Sequence, residues 1–270
     1  MKALFVSPLG LLIGLSLGAL GGGGSILAVP VLVYAAGQPV RAATTTSLLV
    51  VGVAAVASVV GHWRAGRVMA GPGTVVGLAG VGGSFAGSAL NRGLDPDVLL
   101  LAFSALVLVA AWRMVTGCPS CTRAGERQAL ALATPGERSV GGLRLDGPTV
   151  AKVLAVGTVV GFFTGLFGVG GGFIIVPALT LVMGFTMPVA IGTSILVVAI
   201  NSALALVARL GDQGVDWAVA GPFTVAAVAG ALAGSRVADR LPARLLVRAF
   251  ATLLVLVAAY TAARALADLL

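Results

Sequence analysis

The chain has 270 residues, of which 59% are hydrophobic and only 10% charged, against about 25% charged in a typical soluble domain. A water-soluble fold of this length has nowhere to hide so much apolar surface, so composition excludes an ordinary soluble enzyme and makes lipid the expected solvent. The net charge of +8 comes from basic residues lying almost wholly between apolar runs, with no aromatic-interleaved patch, so it speaks for helix ends anchored at headgroups and against nucleic acid.

Apolar runs fall at Leu4–Leu20, Ile26–Ala36, Thr44–Gly61, Pro72–Leu90, Val98–Val115, Val150–Phe167, Phe173–Met183, Ile191–Ala208, Ala218–Ser235 and Leu245–Ala263. A run of about 18 residues rises about 27 Å as a helix, enough for a hydrocarbon core of about 30 Å. Ile26–Ala36 and Phe173–Met183 differ, because eleven residues rise only about 16 Å, half a crossing.

Both short runs follow glycine. The stretch from Gly165 to Pro177, GLFGVGGGFIIVP, has a weaker earlier copy from Gly18 to Pro30, GALGGGGSILAVP, and Gly168 stands 147 positions after Gly21. The same spacing relates Thr46-Ser47 to Thr193-Ser194, Leu49-Val50-Val51 to Leu196-Val197-Val198, Gly87-Ser88 to Gly234-Ser235 and Phe103 to Phe250. Gly71-Pro72 matches Gly221-Pro222 with a slip of three residues. Lys2 before an apolar stretch has the look of a signal peptide. However, Gly14, Gly18 and Gly21 recur as Gly161, Gly165 and Gly168, which claims the N-terminal segment for the fold.

The one long polar stretch, Thr116–Gly147, carries Arg123, Glu126, Arg127, Glu137, Arg138, Arg144 and Asp146 and reads as an exposed linker. The expected architecture is an all-α integral membrane protein with two pseudo-symmetric halves, residues 1–115 and 149–270, across a linker at 116–148. Each half has a glycine-broken hairpin or helix followed by three transmembrane helices. In one topology each short run continues the helix before it, giving eight crossings and halves of equal orientation. In the other the glycines turn the chain back inside the membrane, leaving three full spans per half, and the halves are inverted. The continuous form puts Arg41, Arg92, Arg236, Arg240, Arg244 and Arg248 on one side and eleven basic residues opposite. The re-entrant form puts Lys2, Arg41, Arg92, Arg209 and Arg264 on one side and twelve opposite, a cleaner split that makes the linker cytoplasmic.

Non-helical backbone at membrane depth survives only inside protein or beside a water-filled cavity. The helix starting behind each glycine run aims free N–H groups and partial positive charge into the gap, which suits an anion. The expected binding residues are therefore Gly21, Gly22, Gly23, Gly24 and Ser25 from the first copy, and Gly168, Gly170, Gly171 and Gly172 from the second. Thr46, Ser47, Thr193 and Ser194, at the beginnings of the next helices, add hydroxyls as caps or ligand contacts. Asn201, the amide within a late run, belongs either to the site or to helix–helix hydrogen bonding. Gly14/Gly18 and Gly161/Gly165 have the small-xxx-small spacing of close helix packing.

Every carboxylate sits between runs or at an end, which disfavours a carboxylate-based proton pump or cation channel and suits a neutral or anionic cargo. His62, beside Trp63 and Arg64, reads as an interfacial residue. Cys118 and Cys121 form one CxxC, too few ligands for a zinc site. Neither GxGxxG after a strand nor GxxxxGK[ST] is completed, and catalytic machinery, metal and cofactor are not expected.

At the GLFGVGGGFIIVP stretch, its weaker copy and Ala190-Ile191-Gly192-Thr193-Ser194, the chain resembles the sulfite exporter TauE/SafE family of membrane permeases. The likeness covers nearly the whole chain, although the first copy departs from the motif at Gly22 and Ser25. The resemblance implies transport of a small sulfur-containing anion, such as sulfite or an organosulfonate, across the bacterial cytoplasmic membrane by a multi-pass protein. The expected partners are membrane lipid and the small anion, without nucleic acid, in a form compatible with a homo-oligomer. The competing functions are a non-transport membrane scaffold or assembly subunit, and a transporter of a non-sulfur solute.

Overall fold

The structure is a computed structural model that describes residues 2–91, 96–116, 139–140, 143–144, 147–167, 172–208 and 217–269. The described helices of the first half are α1 (Lys2–Leu20), α2 (Ser25–Tyr34), α3 (Val40–Arg64), α4 (Ala70–Asn91) and α5 (Pro96–Thr116). Those of the second are α6 (Gly147–Phe167), α7 (Gly172–Leu181), α8 (Met187–Ala208), α9 (Trp217–Arg240) and α10 (Ala243–Leu269). The starts of α2, α3, α4 and α5 lie 147 residues before those of α7, α8, α9 and α10. A two-residue antiparallel ladder, β1 (Ser139–Val140) with β2 (Leu143–Arg144), is the one piece of strand among the described residues, within the stretch read as an exposed linker. The rest of the expected linker, with Cys118 and Cys121, lies outside them.

Six described stretches are long and apolar enough to cross a membrane: Ser7–Val33, Ala42–Arg64, Ala70–Leu90, Met187–Leu206, Trp217–Ala238 and Ala243–Ala263. Phe85, Val225 and Leu256 stand exposed on these helices, side chains that only lipid solvates well.

Close contacts fix the direction of each helix. Along the α1–α9 pair Gly10 meets Phe223, Gly14 meets Ala227 and Gly18 meets Ala231, so the two helices run parallel. Along α4–α6 Val76 meets Gly157, Gly80 meets Gly161 and Ser84 meets Gly165, again parallel. A side chain at Gly14, Gly18, Gly161 or Gly165 would overlap the facing backbone, which bears out close packing as the role of these four. Because lipid tails are as apolar as leucine, such van der Waals contact holds membrane helices together.

Helices α3 and α8 run antiparallel. Arg67 and Met69, just past the end of α3, meet Gly192 and Thr193 near the start of α8, whereas Gly52 in the middle of α3 meets Ser202 further along. Gly18 and Gly61, late in α1 and α3, meet His62 and Ser235, which are late in α3 and α9, so α1, α3 and α9 share one direction. Gly73 meets Thr193 and Gly77 meets Ile200, so α4, α6 and α8 share the other. Counterparts α1/α6, α3/α8 and α4/α9 therefore point in opposite directions.

That polarity decides the topology. Since α1 and α3 run the same way, α2 must bring the chain back between them, and α7 must do the same between α6 and α8. Gly24 lies against the backbone of Ile13 and Leu17, whereas a straight helix would carry it about 10 Å beyond Leu17. Ser7–Val33 is thus a hairpin, and the continuous topology does not hold. Gly37 (φ 69°) and Gly184 (φ 70°) end the returning arms, where Gln38 and Phe185 donate N–H to Leu32 O and Leu179 O.

Candidate substrate site at the glycine turns

The first hairpin reverses at one residue. Gly21 has φ 76°, a conformation that costs any side chain, and a Cβ there would sit 2.5 Å from Ser194 Oγ. Gly21–Gly24 then winds as one turn of 3₁₀ helix leading into α2. The sequence suggested an unwound tract; tight i→i+3 bonds instead keep its backbone satisfied where water is scarce.

The other three glycines are explained by what they touch. Gly22 lies backbone to backbone on Gly172, the first residue of α7, so the first turn touches the start of the second half's returning arm. A Cβ on Gly172 would come 2.6 Å from Gly22 Cα and 2.8 Å from Ser25 Oγ. A Cβ on Gly23 would meet Phe250 of α10 at 3.0 Å, and Gly24 packs on α1. All four are buried. Packing thus accounts for Gly22, Gly23, Gly24 and Gly172, and backbone conformation for Gly21. Gly168, Gly170 and Gly171 lie outside the described residues.

The amides are also less free than the sequence suggested. Ser25 N–H is bonded to Gly22 O, so the positive end of α2 begins a turn earlier, within the oligoglycine itself. Ser25 Oγ donates to Gly22 O at 2.6 Å.

The threonine–serine pairs do not cap helices. Pro39 is the N-cap of α3 and α8 begins at Met187, so Thr46-Ser47 and Thr193-Ser194 sit in the second turn, fully or almost fully buried. Ser47 Oγ and Ser194 Oγ donate back to Thr44 O (2.9 Å) and Ile191 O (2.8 Å). Thr193 Oγ1 accepts the Met69 N–H at 3.1 Å, tying the α3–α4 connection to α8. Thr46 Oγ1 is buried without a partner. A serine hydroxyl already donating to its own helix must release that bond to donate to an anion; the Thr46 hydroxyl has none to release.

Asn201 is half-buried, its Nδ2 about 4.0 Å from where a Gly80 Cβ would stand, which places it at the α4–α8 contact. His62 corrects its interfacial reading: it is 1% exposed, and its Nε2 lies 3.0 Å from Gly18 O. Two buried polar groups went unnoticed in the sequence. Gln38 has both side-chain amide atoms without partners, and so has the Ser58 hydroxyl. The available signal was a lone glutamine in the loop before α3 and a second serine, after Ser47, inside the Thr44–Gly61 run. Among the described residues the buried polar side chains include no Asp or Glu, and no cluster of His, Cys, Asp or Glu could hold a metal.

Comparison with known proteins adds a family. Residues 6–261 match the family model described as "Sulfite exporter TauE/SafE". A "Probable membrane transporter protein" of Xylella fastidiosa (strain Temecula1) is 34% identical over 262 residues, covering 96% of this chain and 94% of that protein. Its counterpart in strain 9a5c matches to the same extent. A "Probable membrane transporter protein YunE" of Bacillus subtilis is 36% identical over 83 residues, 31% of this chain and 29% of that protein. No solved structure matches. The helices and these relatives together make the chain a multi-pass membrane protein.

Proposed function

The chain belongs to the sulfite exporter TauE/SafE family of membrane transporters, and from that premise we propose that it carries a small sulfur-containing anion, such as sulfite or an organosulfonate, across the bacterial cytoplasmic membrane. The observation that carries this reading is the backbone contact between the first hairpin turn, at Gly22, and the start of the oppositely directed returning arm α7, at Gly172. The described residues also include a buried hydroxyl with no partner (Thr46) and no buried carboxylate to repel an anion. The anion binds when the turns part, meeting the amides of Gly21–Gly24 and Gly168–Gly172 and the hydroxyls of Ser25, Thr46, Ser47, Thr193 and Ser194. Asn201, against Gly80, has the weakest claim to the set.

Alternating access needs moving bodies, and the tight interfaces indicate which. Because α1 packs on α9 and α4 on α6 through glycine, each pair joins the two halves of the sequence. The bodies are then cross-half pairs working about the hairpin turns, not the halves rocking as units. Arg64, Arg67, Arg236, Arg240, Arg244 and Lys152 lie at the end where α3 and α9 finish and α10 and α6 begin, so that end faces the cytoplasm by the positive-inside rule.

Uptake of labelled sulfite into proteoliposomes, competed with a panel of anions, tests the reading. Saturable flux inhibited by sulfite and sulfonates supports it. Flux insensitive to oxyanions points to a non-sulfur solute, and no saturable flux points to a scaffold.

A further inference from the structure

Helix α1 stops at Leu20, so the carbonyls of its last turn lose the i+4 N–H that would have satisfied them. In a lipid-embedded protein such a carbonyl needs a donor from elsewhere. Gly18 O finds one in His62, on the last turn of α3, and since a carbonyl only accepts, Nε2 must carry the proton. The neighbouring hydroxyl of α9, Ser235 Oγ, is not the alternative donor, because it already donates to Leu232 O at 2.9 Å.

The second half repeats the arrangement with different chemistry. Gly165 stands 147 positions after Gly18, in the last turn of α6, and its carbonyl accepts a hydroxyl bond from Ser88 of α4 at 3.4 Å. In both halves the same carbonyl, at the same distance before the turn, is held by a side chain from another helix. One is an imidazole that is 1% exposed; the other is a longer bond from a half-buried serine.

We propose that His62 is a positioning residue of the transport site: by holding the Gly18 carbonyl it fixes where α1 ends, and with it the Gly21 turn that lies on Gly172 and Ser194. Ser88 does the same, more weakly, for the second hairpin. This rests on the transport reading above, so the test has two arms.

In the first arm, His62→Gln, His62→Asn and His62→Leu are reconstituted and assayed for sulfite flux. A glutamine amide nitrogen reaches about as far as imidazole Nε2, whereas an asparagine amide stops near the Nδ1 position. His62→Gln is expected to stay within about threefold of the parent in turnover/KM, and His62→Asn and His62→Leu to fall about tenfold or more, the size expected when a buried carbonyl loses its donor. Wild-type flux in His62→Leu would overturn the proposal. So would a His62→Gln as inactive as His62→Leu, which would instead make the imidazole a proton carrier.

The second arm needs no transport. Deuterium uptake of the peptide covering Gly18–Leu27 is expected to be faster in His62→Leu than in His62→Gln or the parent. Equal uptake in all three overturns the latch. Absent flux in the parent would overturn the transport reading while leaving this arm to decide the latch, and His62→Asn serves if His62→Leu fails to fold.

Discussion

At the scale of single residues, glycine at position 21 is required by conformation and glycine at 82 is not. Gly21→Ala places a side chain at φ 76° against Ser194 Oγ. The backbone alone costs about 1–2 kcal/mol, so the thermal midpoint in detergent is expected to fall. Gly82 lies in α4 with open space where a Cβ would go, so Gly82→Ala is expected to be neutral or to gain about 0.5–1 kcal/mol. The two equivalent threonines separate in the same way. Thr193→Val leaves the Met69 N–H without its acceptor, at about 1–3 kcal/mol, whereas Thr46→Val removes a hydroxyl that bonds to nothing and leaves the thermal midpoint unchanged or raised. If Thr46 meets the anion, Thr46→Val lowers sulfite flux without lowering stability; an unchanged flux removes Thr46 from the site.

At the scale of elements, the repeat and the half-length runs made much of the fold legible. Eleven apolar residues behind a glycine tract do not cross a bilayer, and the structure turns both segments into the returning arms of hairpins, α2 and α7. The spacing of 147 residues, read from motifs, also relates the helix starts where the sequence match is thin, as at Pro96 and Ala243. Partners were not legible. Helices apolar on every side carry no pattern to say which face meets protein, so nothing in α1 pointed to α9 more than to α2. For the same reason the neighbours of the oligoglycine, the backbone of Gly172 and α1 and the side chain of Phe250, were not legible, and His62 read as interfacial when its acceptor lies 44 residues away. The packing claim is open to test at Gly161, where a side chain would overlap Gly80. Gly161→Leu is expected to abolish folded protein in size-exclusion profiles, while Gly82→Leu, facing open space in the helix that Gly161 packs on, behaves as the parent.

At the scale of the molecule, the chain is a pair of hairpins entering from opposite sides, the tip of the first lying on the first residue of α7, with the halves interleaved through α1–α9 and α4–α6. This arrangement makes a prediction about sidedness that does not depend on the cargo. Ala35 follows α2 and Val182 follows α7, 147 residues later; both are exposed, as is Ala65 after α3. Because α3 carries the chain from the Ala35 end to the Ala65 end, and α8 starts at the end where α3 finishes, Val182 shares its side with Ala65 and lies opposite Ala35. Single cysteines at these positions, in a background where Cys118 and Cys121 are replaced by serine, are to be labelled in intact cells with a membrane-impermeant maleimide. Ala35→Cys is expected to react, while Ala65→Cys and Val182→Cys react only after the cells are opened. A chain with each glycine break inside a continuous span would put Ala35 and Val182 on the same side, so equal labelling of those two would reject the inverted hairpins, and with them the Gly22–Gly172 contact on which the transport reading rests.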